Sequence, residues 1–535
     1  MTTQPRFSLI AALDDGAPRQ RGAEIQRALR SVLAQTCRSW ELLVPDRVDG
    51  DVLGDRRVRA VLPAADPITA ASAGLAVAHG EFVGVLEPGG WLDRDALAAV
   101  NHAIGATGDV DHVYTDEVLH GEGTTVVMRK PDWSPERQRG QDYCGQLSLY
   151  RRSLADEVGG LRPSLGAAAR HDLSLRVAER ARRTVHVPAA LHHRTVEAAT
   201  ADEVETMLRA IDLDAVRQHL ERQSVVADIR ARGSSCAIRR RAGIAPVSVV
   251  VPTAGSSAEV WGIDQPLVVG ALQSLLDVTD HPRYEVVVVV DPVTPPAVRA
   301  AISALPVVLV DGVGPFDFAA RCNAGVAASA GDHVVLLNDD VLIEQPDWLT
   351  AMVGHLADPG VGIVGARLLY ADGTLQHAGI LLNEHPRHIF AGFAGDDPGP
   401  FDLLRVAREV SAVTGACLAT TRVLWDELGG LSSDFAVAFN DIDYCLRAAA
   451  AGRRTVWTPE ATLYHFESQT RQPPASRDEV ERLEARWGHV LRRDPYGSPG
   501  FEPGQASWIE RQRPGATDLV RRASATWRRH RQRAS

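Results

Sequence analysis

Lysine is almost missing: Lys130 is the only one in 535 residues, and arginine carries nearly all the positive charge. That skew reads as coding bias, not as function. The formal net charge is −11, which argues against a general nucleic-acid binder. Cysteine is sparse and scattered (Cys37, Cys144, Cys236, Cys322, Cys417, Cys445), with no CxxC pair. A disulfide frame or zinc knuckle is therefore not expected, and free thiols in a reducing, cytoplasmic setting are. No apolar run reaches the roughly 18 residues that a membrane-spanning helix needs. The apolar opening at residues 7–13 is stopped by Asp14 and Asp15 and reads as a strand, not a signal peptide. GxGxxG after the first strand, GxxxxGK[ST] and GxSxG are all lacking. Dinucleotide oxidoreductases, P-loop enzymes and nucleophile-elbow hydrolases lose ground accordingly.

What is present is an ordinary globular composition, 45% apolar and 23% charged, in a chain long enough for two or three domains. Strands are expected at residues 7–13, 40–44 and 82–86, with helices at 24–35 and 71–79 between them. That alternation predicts a doubly wound α/β unit. Residues 147–158 and 172–181 also look helical. Residues 201–232 read as an amphipathic helical connector, and the basic stretch 234–243 as a loop or edge strand. From Pro246 the alternation restarts: strands at 247–251 and 285–291, helices at 267–276 and 318–330, then a third strand. The repetition predicts an internal duplication with one copy much altered.

The stretch that organises the second copy is GDHVVLLNDDVLIEQ, residues 331–345. Val334 to Leu337 read as a strand buried on both faces, ending in Asn338, Asp339 and Asp340. Adjacent carboxylates at a buried strand end repel and cost desolvation energy, unless a cation lies between them. Ligands bind at the carboxyl ends of strands in open α/β sheets. Hard oxygen donors there suit Mg2+ or Mn2+. The plainer reading is a polar turn capping a helix. Asp291 and the pair Asp441/Asp443 recur at other element ends, and a parallel sheet could gather all three at one edge. From spacing alone, Asp441 and Asp443 read first as capping residues of the helix they open. A nucleoside-diphosphate ligand would fit such a site, its charge met by a metal because this half has no lysine.

The second half resembles the family 2 glycosyltransferases, over roughly residues 246–470. The motifs are VSVVVPT, EVVVVVD, FDFAARCNAG, HVVLLNDDVLIEQPDWL, GTLQHAGILL, SAVTGACLATTRVLWDELGGL, FNDIDYCLRAAAAG and TPEATLYHFES. It is most similar to the bacterial two-domain members described as rhamnosyltransferase-like or cell-surface-glycan transferases. The first half resembles their N-terminal domain through SVLAQTCRSWELLV, AHGEFVGVLEPGGWL, VYTDE, KPDWSPE and LSLYRRSLADEVGGLR. The resemblance implies two tandem GT-A-like α/β domains. It implies an inverting, metal-dependent transfer from a nucleoside-diphosphate sugar to a glycan or polyprenyl-linked acceptor. It places Pro252, Thr253, Asp291 and Asn323 at the nucleotide. Asn338, Asp339 and Asp340 fill the DxD slot, with Asp340 and Asp339 as metal ligands and His465 completing the shell. Asp441 falls at the inverting base, with Asp443 in support, and Thr414, Gly415 and Ala416 face the acceptor. His377 is expected to be a packed, hydrogen-bonded histidine, and His465 could be a strand-end histidine bonded to backbone.

The first copy departs from this pattern. It has Glu87, Pro88, Gly89 and Gly90 at the DxD slot and Arg170, His171 and Asp172 at the base motif, so only Asp172 survives there. The expected division is a degenerate GT-A-like domain at 1–200, a helical connector at 201–245, a catalytic domain at 246–470 and a helical, Arg-rich tail at 471–535. The tail, from Arg511, is either a solvated helix end or a peripheral contact with anionic lipid at the inner membrane face. The competing readings are a catalytically inactive glycan-binding or assembly partner and a sugar-nucleotide hydrolase.

Overall fold

A computed structural model describes residues 4–11, 19–45, 53–62, 66–87, 89–196, 211–241, 243, 245–382, 386–466 and 475–497. The Arg-rich tail, most of the linker before Ile211 and the end of the first expected strand lie outside them.

Two curled mixed sheets carry the chain. The nine-stranded first sheet runs, edge to edge, Val58–Leu62, Trp40–Pro45, Phe7–Ala11, Phe82–Leu86, Ser148–Arg151, His112–His120, Thr184–Thr195, Gly90–Leu92, with Thr125–Met128 added on His112–His120. The ten-stranded second sheet runs Val308–Asp311, Tyr284–Val290, Val247–Thr253, His333–Leu337, Cys417–Thr421, Val361–Leu369, Arg454–His465, Val341–Ile343. Leu375–His377 and Arg408–Glu409 are added on its flank. The two orders match strand for strand, so the duplication expected from sequence is a duplication of topology.

The valine runs explain the central strands. Along Val286–Val290, alternate side chains enter two separate cores: Val286, Val288 and Val290 one, Val287 and Val289 the other. A strand covered on both faces needs no polar alternation, and each valine so buried stabilises the sheet by roughly 1.5–3 kcal/mol. The helix Phe318–Ala327 lies close on this sheet because Gly325 has no Cβ; one there would overlap Val250 and Val289. Its start is fixed by Asp317, whose carboxylate accepts from Ala320 N at 2.8 Å.

Two expectations for local structure fail. Residues 147–158 are not one helix: Ser148–Arg151 is a central strand, and only Arg152–Glu157 is helical. The run LSLY pairs on both sides, with Phe82–Leu86 and His112–His120, and that pairing overrides its helical spacing. The connector is helical over Leu213–Arg222, but Ala227–Arg232 turns back on Ser235–Arg240 as a two-stranded ribbon.

Candidate active site

The parallel pairing of Val247–Thr253 with both Tyr284–Val290 and His333–Leu337 brings three strand ends together. Thr253, Asp291 and the Asn338–Asp340 turn meet there. Thr253 Oγ1 donates to Asp339 Oδ2 at 2.6 Å. The surrounding protein and the neighbouring Asp340 carboxylate push the Asp339 carboxyl up to about 7, against the pull of that hydrogen bond. Two carboxylates held this close are what a cation would relieve.

The strand Val341–Ile343 pairs with the end of Arg454–His465, setting Val341 opposite His465. His465 Nε2 lies 3.1 Å from Asp340 Oδ1, and that oxygen is buried with no hydrogen bond. His465 Nδ1 is 2.7 Å from Gln376 Oε1, while Gln376 Nε2 donates to the His465 carbonyl at 3.2 Å. The amide is thereby oriented to accept the Nδ1 proton, and Nε2 is turned to Asp340 and to Asn338 Nδ2, 3.3 Å away. An Nδ1–H held by a neighbouring acceptor leaves Nε2 as the nitrogen that could bind a metal. Two ligands in adjacent positions around a Mg2+-sized ion, each at about 2.1 Å, stand about 3.0 Å apart. The Asp340–His465 separation fits that spacing. Among the described residues no group of three or more His, Cys, Asp or Glu is placed to hold a metal ion. Mg2+-type ions commonly take one or two protein ligands and fill the rest with phosphate and water. Asp339 and Asn338, whose buried Oδ1 lacks a hydrogen bond, complete the wall.

Asp441 sits at the other side of the same strand end. Its Oδ2 accepts from Gly415 N at 2.8 Å, and the next residue, Ala416, accepts through its carbonyl from Asn338 N at 3.0 Å. One short segment therefore touches both the carboxylate turn and Asp441. Asp441 is half-buried in the first turn of the helix Asn440–Ala450. The residue before that helix, Phe439, has φ 63°, a strained left-handed turn for a bulky side chain.

The other expected residues are used differently. Asp443 is fully buried and turned into the protein: Arg447 Nε holds one oxygen at 2.7 Å, and Arg486 and Trp487 Nε1 each hold the other at 2.9 Å. It braces the helix and does not reach the cleft. Asn323 gives both ends of its amide to the backbone of Leu431, at 2.9 Å each, and so braces a loop. Asp291 is buried and ion-paired with Arg321 at 2.7 Å, its second oxygen accepting from Val293 N. Pro252 lies in the strand register beside Val289. His377 is a buried, packed histidine, 3.2 Å from His388, and burial with those neighbours holds it well below its usual range. Gln376, Arg321, Arg486 and Trp487 were not singled out from sequence. Two had a signal: Gln376 as the neighbour of His377 in GTLQHAGILL, and Arg321 two residues before Asn323 in FDFAARCNAG.

The matched topologies allow the copies to be superposed by register. Phe82 pairs with Phe7 and Arg151 as His333 pairs with Val247 and Thr421. Counting from those pairs, Glu87 stands at Asn338, Gly89 at Asp340 and Gly145 at Gly415. Gly90 pairs with Arg194 as Val341 pairs with His465, so Arg194 replaces the histidine. Arg176 binds Asp172 and the carbonyls of Val158 and Gly160 as Arg447 binds Asp443 and the carbonyls of Leu428 and Gly430. Asp172 is thus the counterpart of the bracing Asp443, not a surviving base. The position matching Asp441, two residues earlier, holds Arg170, which is ion-paired with Glu87 at 2.6 Å.

A family model described as "Glycosyltransferase like family 2" matches residues 245–489. The chain is 32% identical to protein y4gI of Sinorhizobium fredii, over 94% of this chain and 58% of that protein. It is 31% identical to the O-antigen biosynthesis protein RfbC of Myxococcus xanthus, over 89% of this chain and 38% of RfbC. The chain thus spans less than two thirds of either relative. Among solved structures, the mannosyltransferase PcManGT from Pyrobaculum calidifontis, in complex with GDP-Man and Mn2+, is similar at 22% identity. That match covers 46% of this chain and 63% of that one, with a TM-score of 0.31. GalNAc-T7 with UDP, GalNAc and Mn2+ matches at 13% identity over 46% and 49%, with a TM-score of 0.37.

Proposed function

Because the chain belongs to glycosyltransferase family 2 through residues 245–489, we propose that its second α/β domain carries out an inverting transfer. The donor is a nucleoside-diphosphate sugar. The acceptor is a hydroxyl of a cell-surface glycan or its polyprenyl-linked precursor, a class suggested by the O-antigen role in the name of one relative.

The observation that carries this reading is the pair of contacts made by one strand end, Gly415 to Asp441 and Ala416 to Asn338. They set a proton acceptor and the Asn338–Asp340 turn side by side. Asp340 and His465 would hold Mg2+ or Mn2+, with Asp339 beside them, and the bound ion would neutralise the diphosphate as it leaves. Thr253 and the loop at Asp291 wall the side where the nucleotide would lie. Asp441 takes the proton from the acceptor hydroxyl as its oxygen attacks the anomeric carbon from the face opposite the diphosphate. Gly415 N–H fixes the Asp441 carboxylate for that transfer, and Asp443 holds its helix in place. The first domain, with arginines at the base and histidine positions, is silent in this reaction.

The direct test is to add Mn2+ with UDP, GDP or dTDP and follow the melting temperature, then to screen the matching sugar nucleotides for release of nucleoside diphosphate. At least one nucleotide is expected to stabilise the protein in a Mn2+-dependent way, and its sugar derivative to be turned over. No shift and no release across all three would reject the proposal.

A further inference from the structure

The motif KPDWSPE, residues 130–136, stands out in the sequence yet has no part in the transfer chemistry. In the structure it is where the first domain grips the second. Ser134 Oγ donates to Glu409 Oε2 at 2.5 Å, and Glu409 N donates back to Ser134 Oγ at 3.3 Å. Glu136 N–H adds a 3.2 Å contact to the same carboxylate oxygen, while Arg454 holds the other. The Glu136 carboxylate in turn binds Arg240 at 2.6 and 2.7 Å. Ser134, Glu136 and Glu409 are only 1%, 4% and 1% exposed, so water does not compete for these bonds.

Glu409 also begins the segment that ends at the candidate site. Val410 N donates to Thr455 O, and Ala412 O accepts from Ile380 N. Val413 packs where a Cβ on Gly365 would otherwise stand. Then Gly415 N–H meets Asp441, and Ala416 O meets Asn338 N. Residues 409 to 416 thus form one taut strap. The first domain holds its outer end, and its inner end places the proton acceptor against the carboxylate turn.

We propose that Ser134 and Glu409 are positioning residues. Through the strap 410–416 the first domain sets where the Asp441 carboxylate lies, which would give the silent copy a role in turnover without a site of its own. This rests on the reading of Asp441 as the base.

The test uses the full chain carrying Ser134→Ala, with Ser134→Thr as the variant that keeps the hydroxyl. Leu9→Ala serves as a control that weakens the first domain's core away from the strap, Leu9 being 2% exposed. Amide hydrogen exchange of a peptide spanning 410–416 is expected to speed up about tenfold in Ser134→Ala, to recover in Ser134→Thr and to stay unchanged in Leu9→Ala. Nucleoside-diphosphate release from the sugar-nucleotide panel should fall about tenfold in Ser134→Ala, while the Mn2+-dependent melting shift with UDP or GDP is kept. Unchanged exchange in Ser134→Ala, or equal acceleration in Leu9→Ala, overturns the proposal. So does a nucleotide shift lost in parallel with turnover. If the unmodified chain releases nothing from any sugar nucleotide, the transfer reading fails, and the exchange comparison still decides whether the strap is held by Ser134.

Discussion

Arg170 opens its helix in the first domain where Asp441 opens its helix in the second, and its guanidinium is closed 2.6 Å onto Glu87, the counterpart of Asn338. A guanidinium at the position proposed for the base cannot accept a proton. Gly89 in place of Asp340 and Arg194 in place of His465 also remove the two donors proposed for the metal. One Mn2+-dependent nucleotide site per chain is therefore expected by titration calorimetry, and Arg170→Asp should not create a second. A stoichiometry of two would show that the first copy still binds.

Asp340→Asn keeps the shape of the turn but removes the charged ligand. The Mn2+ concentration that supports nucleotide binding should rise by at least about tenfold. A titration curve identical to that of the unmodified chain would remove Asp340 from the metal site.

Asp441→Asn should lower turnover by about 10²–10⁴-fold, the usual worth of a general base, while the nucleotide melting shift persists. Gly415 N–H can still donate to the asparagine carbonyl, so the fold is retained. Near-normal turnover would exclude Asp441 as the base.

Asp443→Ala acts on stability. It leaves Arg447, Arg486 and Trp487 facing a buried gap with no acceptor. Removing one partner of a buried pair costs about 3–5 kcal/mol, which a urea unfolding curve would register. A loss under about 1 kcal/mol would mean that those groups find water instead.

Glu117 links stability to pH. Burial works to raise its carboxyl, but Lys130, His192, Arg194 and the amide of Gln146 outweigh it and hold the group at about 2, below the usual 4.5. The folded state thus binds its proton less readily than the unfolded chain. The stabilisation, about 3 kcal/mol, is present above pH 4.5 and is lost as pH falls from there toward 2. Urea midpoints measured between pH 5 and pH 3 should fall more steeply for the unmodified chain than for Glu117→Gln. Parallel slopes would contradict the assignment.

Much of this was readable from the residues. Unbroken valine runs can only be strands covered on both faces, and adjacent carboxylates at a buried strand end ask for a cation, whatever surrounds them. Such statements depend on composition and period, which are local. The sequence therefore determined two α/β copies, the Asn338–Asp340 turn and the altered state of the first copy. It could not determine roles that depend on which way a side chain turns. Asp441 and Asp443 are two residues apart on one helix, about 200° around its axis, so one meets Gly415 while the other is buried against Arg447 and Trp487. Asp172 looked like a surviving base for the same reason, until the matching arginine contacts placed it with Asp443. The hold of Gln376 on His465 Nδ1, 89 residues away, and the grip of Ser134 on Glu409, 275 residues apart, exist only once the strands are paired. Hydrogen bonds between distant segments leave no periodic trace in the chain that makes them.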